Sequence, residues 1–145
     1  MDLYPVLLNL HSYLSYLVLA ALLFAALSCF LGFSGNRPFT DRDRKVALIG
    51  LIAVHTQLLI GLILYFVSPL GAANLSGATM KNAELRLTAL EHPVINLIGI
   101  ILITVGYSRA KRLKNDRARF RSVFLLYGLG LVLILSRIPW GRWIG

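Results

Sequence analysis

Acidic residues are scarce in this chain: six Asp and Glu stand against 15 Lys and Arg in 145 residues, a formal net charge of +9. Charged residues of either sign make up 14% of the chain and hydrophobic residues 57%. A soluble domain of this length needs a polar shell, and this composition cannot supply one. The single cysteine, Cys29, excludes an intramolecular disulfide and any CxxC redox or zinc pair. No Gly-rich phosphate loop is present; Gly128-Leu129-Gly130 lies inside an apolar run and reads as packing. No serine or cysteine has a base-and-orienter set beside it, which argues against hydrolysis. The methionines are Met1 and Met80 only, too few thioethers for a Cu(I) site.

What is present in quantity is long apolar sequence, with a mean hydropathy of +0.73. Four runs approach the ~20 residues that span a hydrocarbon core of ~30 Å: about 5–33, 46–68, 87–107 and 120–138. The last has its apolar centre at 123–136. Nothing remains for a second domain, so residues 1–145 read as one four-helix transmembrane domain. Ala26-Leu27-Ser28-Cys29 has a faint likeness to a lipoprotein cleavage site, but no positive start precedes it and apolar residues follow. The first segment is therefore expected to stay, with Cys29 as a small buried residue.

A pI near 10.3 in a soluble protein would suggest nucleic acid, but the placement of the charge argues otherwise. Segment 34–45 holds Arg37, Arg42, Arg44 and Lys45, and segment 108–121 holds seven more cations. On the opposite side stand only Lys81, Arg86, Arg137 and Arg142. The positive-inside rule puts the basic loops in the cytoplasm, and both termini with loop 69–86 on the periplasmic side. The cations then set orientation and touch anionic lipid; no nucleic-acid partner is expected.

Each segment carries small or polar residues at helical spacing. The stripes are His11, Leu14, Val18, Ala21, Ala25, Ser28 and Gly32; Ala47, Gly50, Val54, Gln57, Gly61 and Ser68; His92, Asn96, Gly99, Ile103, Gly106 and Ala110; and Tyr127, Gly130, Ile134 and Arg137. Lipid tails are as apolar as leucine, so helices associate through small residues. The expected fold is an all-α, integral membrane, antiparallel four-helix bundle. Glu91-His92-Pro93 falls at its outer mouth. Thr88 and Glu91 have capping-box spacing, whereas Pro93 also suits a helix start; if the helix is continuous, a kink is expected there.

Three histidines, His11, His55 and His92, lie in or beside these segments. An ionisable residue in a membrane span is costly and is a functional-site hypothesis by default. His11 and His92 fall on inward stripes, each less than two turns from the outer end of its segment. His55 lies round the helix from Gly50 and Gly61, facing a second groove or a bulky apolar ligand; a lipid-facing position is the least favoured. An imidazole from each of two helices, apolar walls and cations for two propionates would suit haem. His11 with His92 matches best in depth, and His55 with either is the alternative. Gly61 or Gly99 could make room for the macrocycle, and Arg86 and Arg137 could pair with propionates. Glu91 could pair with either arginine or take up a proton on reduction. A three-histidine copper site would need His55 to rise about two turns. The competing reading is that the histidines hydrogen-bond across interfaces and that Arg137, near Trp140 and Trp143, anchors the chain at the headgroups.

The stretches His55-Thr56-Gln57-Leu58-Leu59-Ile60-Gly61-Leu62-Ile63-Leu64-Tyr65-Phe66 and Glu91-His92-Pro93, with Gly106-Tyr107-Ser108-Arg109-Ala110-Lys111-Arg112, resemble a group of small four-helix bacterial membrane proteins labelled "cytochrome B". These occur chiefly in Bacteroidota, and the resemblance runs over most of the chain. It implies haem b, a bacterial inner membrane, and His11, His55 and His92 as candidate ligands. It brings no enzyme activity. The larger quinol-oxidising b cytochromes pair histidines on shared helices and are alike only in architecture. The expectation is a b-type cytochrome moving electrons near the periplasmic face. Its candidate partners are the lipid bilayer, a quinone or quinol, and a larger respiratory or redox complex. The rival is a non-redox membrane accessory subunit in which the histidines and Glu91 serve packing or proton transfer.

Overall fold

The computed structural model describes residues 2–144. Two long helices come first, α1 (Leu3–Ser34) and α2 (Asp41–Val67). The short helices α3 (Gly77–Met80) and α4 (Ala83–Arg86) follow, then α5 (His92–Arg112), α6 (Asp116–Ser136) and the terminal turn α7 (Trp140–Trp143). A π-helical turn at Leu87–Glu91 joins α4 to α5, so one helix runs from Ala83 to Arg112. Among the described residues there is no strand. The helices α1, α2, Ala83–Arg112 and α6 are each long and apolar enough to cross a membrane.

Local chemistry sets the helix ends. Asp2 accepts from the Tyr4 amide, and Asn115 from the Ala118 amide, each meeting an N-terminal donor that lacks a helical partner. Ahead of α2, the Thr40 amide and hydroxyl both donate to Asp43, at 2.9 and 3.0 Å. The carboxylate of Asp43 is also gripped by both arms of Arg37, at 2.9 and 2.8 Å. Asn36 holds φ 51°, a left-handed conformation that asparagine tolerates.

Apart from Arg137, which is exposed past the end of α6, the small-residue stripes face inward as expected. Gly99 and Gly130 bring α5 and α6 into backbone contact, since a Cβ on Gly130 would lie 2.7 Å from the Gly99 carbonyl oxygen. Gly32 of α1 accepts the ring of Phe120 from α6; a Cβ there would lie 2.5 Å from it. Between α1 and α2, Gly50 meets Leu22 and Gly61 meets His11. Tyr127 is fully buried and donates to the Ala47 carbonyl at 2.7 Å, tying α6 to α2. Outside this core, Leu31, Phe66 and Val132 are about two-thirds exposed, an apolar belt that suits lipid and not water.

Three features differ from the sequence expectation. The Thr88–Glu91 capping box does not form, because the helix has already begun: Asn82 caps α4, and the Thr88 hydroxyl turns back to the Leu85 carbonyl. Gly99 serves helix packing instead of making room for a ligand. Several basic residues have partners within the chain: Arg37 and Arg44 pair with Asp43 and Asp41, while Arg117 and Arg119 lie over Phe33 and Phe39.

Candidate functional site

The His11 and His92 side chains project from α1 and the start of α5 into one cavity of about 440 Å³. Ser15, Gln57 and Asn96 add polar groups, and Leu8, Val18, Leu62 and Ile100 belong to the apolar wall. That size and mixture are typical of a small-molecule site. The two imidazole rings meet edge to face, with centroids 6.2 Å apart and planes at 90°. Gly61 lets the His11 ring lie against α2; a Cβ there would stand 3.3 Å from Cε1.

His92 is oriented from behind. Its Nδ1 lies 2.9 Å from the carbonyl oxygen of Arg137, which can only accept, so Nδ1 carries the proton and donates. Asn96 also approaches Nδ1, but its amide has a better acceptor in the His92 carbonyl at 2.6 Å. This assignment leaves His92 Nε2 as the lone-pair nitrogen of the neutral ring. His11 differs: its Nδ1 is buried and has no hydrogen-bond partner. Beside it, the Gln57 amide donates to the His11 carbonyl at 2.8 Å and to the Ser15 hydroxyl at 2.7 Å.

The turn that delivers His92 is itself distinctive. The π turn ends with the His92 amide bonded to the Leu87 carbonyl, and Pro93 follows at once. Such turns often occur at functional positions. Glu91, just before it, binds Arg86 at 2.9 Å and Arg137 at 3.4 Å. Both arginines proposed as propionate partners therefore already share a carboxylate. The arginine that lines the cavity is Arg142, on α7, with only a 3.7 Å contact to the exposed Glu84. Sequence reasoning did not single out Arg142, Gln57 or Ser15. The stripe on α2 contained Gln57, but nothing in that pattern marks it as a partner of His11.

His55 stands apart. It lies six residues before Gly61, hence about 9 Å further along α2 and roughly 120° round it. It is exposed on the outer face, where its Nε2 lies 2.9 Å from the Thr104 hydroxyl. Thr104 belongs to α5, so this contact crosses from α2 to α5 and satisfies one ring nitrogen. No cluster of three His, Cys, Asp or Glu side chains exists among the described residues, so the three-histidine copper site is not assembled.

Two imidazoles alone are a poor set for a bare metal, which takes four or more ligands. They suit an iron whose equatorial nitrogens come with the cofactor. The two rings meet edge to face in the same cavity, their centroids 6.2 Å apart. Ligating histidines almost always donate through the other nitrogen, as His92 does to Arg137. By these criteria His11 and His92 fit a haem. No family model, curated protein or solved structure matches the chain.

Proposed function

We propose that this protein is a membrane-integral b-type cytochrome of the bacterial inner membrane, in which His11 and His92 would hold the haem. The observation that carries the reading is the meeting of those two rings, from two helices, in one cavity walled largely by apolar side chains. Haem b, when bound, supplies a one-electron iron couple. His11 and His92 would hold it from two helices, and a pair of imidazoles would favour electron transfer over oxygen chemistry. The Arg137 carbonyl fixes the His92 tautomer. Arg142 offers a cation for an acidic edge, while Glu91 keeps Arg86 and Arg137 occupied.

The bundle is antiparallel in this reading, with both termini and the cavity mouth on the periplasmic side. Short connections and the excess of cations in 34–45 and 108–121 support that orientation. A quinol is a fitting electron donor for a site at this depth, with a partner redox protein as acceptor. The resemblance to the small "cytochrome B" group points the same way.

The second reading, a non-redox accessory subunit, draws on Glu91. Its bridge between Arg86 and Arg137, one residue from His92, is also a sound structural clasp. Absorption spectroscopy separates the two. Protein produced with ample iron and haem precursor should show a Soret band, and dithionite should bring out an α band. A colourless, well-folded preparation that takes up no added hemin would sink the cytochrome reading and leave the accessory role.

A further inference from the structure

Two buried side-chain polar atoms among the described residues lack a hydrogen-bond partner: His11 Nδ1 and Gln57 Oε1. They belong to neighbouring side chains at one cavity, and their chemistry is complementary. An imidazole Nδ1 can carry a proton and donate; an amide oxygen can only accept. Leaving either buried and unpaired is costly, so a pair of such atoms side by side is a bond waiting to close.

The amide is held in place for this. Gln57 Nε2 donates to the His11 carbonyl at 2.8 Å and to Ser15 Oγ at 2.7 Å, while Ser15 Oγ donates to that same carbonyl at 2.8 Å. The nitrogen end is thereby fixed on the α1 backbone beside His11, and the oxygen end is left for the ring. Across the cavity, His92 already has the equivalent arrangement, with Nδ1 on the Arg137 carbonyl. Each imidazole then has its own acceptor, one from a side chain and one from the backbone.

We propose that Gln57 is the positioning residue for His11. Its Oε1 takes the Nδ1–H when His11 engages an iron porphyrin through Nε2, fixing tautomer and ring plane. This rests on the cytochrome reading. It goes beyond it by assigning the ligand strength of His11 to a side chain on another helix.

The test compares Gln57→Leu with Gln57→Glu, using hemin titration, redox potentiometry and low-temperature electron paramagnetic resonance on the full-length protein. Both variants lose the Nε2 donor, whereas only Glu keeps an acceptor. Loss of a ligand's hydrogen-bond partner typically costs about 10–100-fold in affinity. Gln57→Leu should weaken hemin binding by that factor, raise the midpoint potential and broaden the low-spin signal. Gln57→Glu should restore binding and lower the potential below wild type, since a charged acceptor makes the imidazole a stronger donor. Equal loss in both variants would assign Gln57 to holding the α1 backbone and overturn the proposal. So would unchanged spectra and affinity in both. Wild-type protein that binds no hemin would instead remove the cytochrome reading, and this inference with it.

Discussion

The hydroxyl of Tyr65 donates at 2.7 Å to the carbonyl of Ala89, the acceptor that an α-helix would pair with residue 93, where Pro93 has no N–H to give. A side chain of α2 thus completes the helix that carries His92. The proline interruption is met by a π turn before it and by this phenol beside it.

Tyr65→Phe should leave the Ala89 oxygen unpaired in an apolar setting and destabilise the protein by about 1 kcal/mol. Denaturant titration in detergent, followed by tryptophan fluorescence, measures this. A wild-type midpoint would mean that Ala89 finds another donor.

In the cytochrome reading, His11→Ala and His92→Ala should each abolish the Soret absorbance per protein, since each would remove one of the two residues proposed to hold the haem. His55→Ala should retain it, because His55 is not among the residues that line the cavity and its Nε2 lies beside the Thr104 hydroxyl. Haem loss in His55→Ala matching that in His92→Ala would transfer the ligand role to His55.

Arg142→Gln should weaken hemin binding about tenfold, the loss of one charge-assisted bond, and leave binding of the haem dimethyl ester unchanged. Arg86→Gln and Arg137→Gln should discriminate less between the two probes, as both guanidinium groups are engaged by Glu91. Equal sensitivity of acid and ester to Arg142→Gln would exclude a carboxylate at that position.

Gly130→Ala should push α5 from α6, because the new methyl meets the Gly99 carbonyl, at a cost of about 1–3 kcal/mol. Thermal denaturation followed by circular dichroism provides the measure. An unaltered transition would mean that the contact relaxes without loss.

In a Cys29→Ala background, a cysteine at Ala73 should react with a membrane-impermeant maleimide on intact spheroplasts, and one at Lys111 only after lysis. The reverse pattern would invert the topology.

Composition and periodicity alone reached the four spans, the inward stripes and the matched depth of His11 and His92. These follow from the ~30 Å of hydrocarbon and the 3.6-residue helical repeat, both of which act on local sequence. Which groups those histidines touch was not legible. The acceptor for His92 is a carbonyl 45 positions away, and backbone carbonyls look identical in any sequence. The sequence left Glu91 open to either arginine or to a proton, and only the fold brings it to Arg86 and Arg137 together. Gln57 was one member of a small-residue stripe until its amide met the carbonyl of His11. The separation of His55 from the other two followed from its spacing to Gly61, but its Thr104 partner on α5 did not. Hydrophobicity and helical pitch are properties of a segment, whereas hydrogen-bond partners in a bundle depend on how four segments rotate and slide against one another, and only their mutual packing decides that.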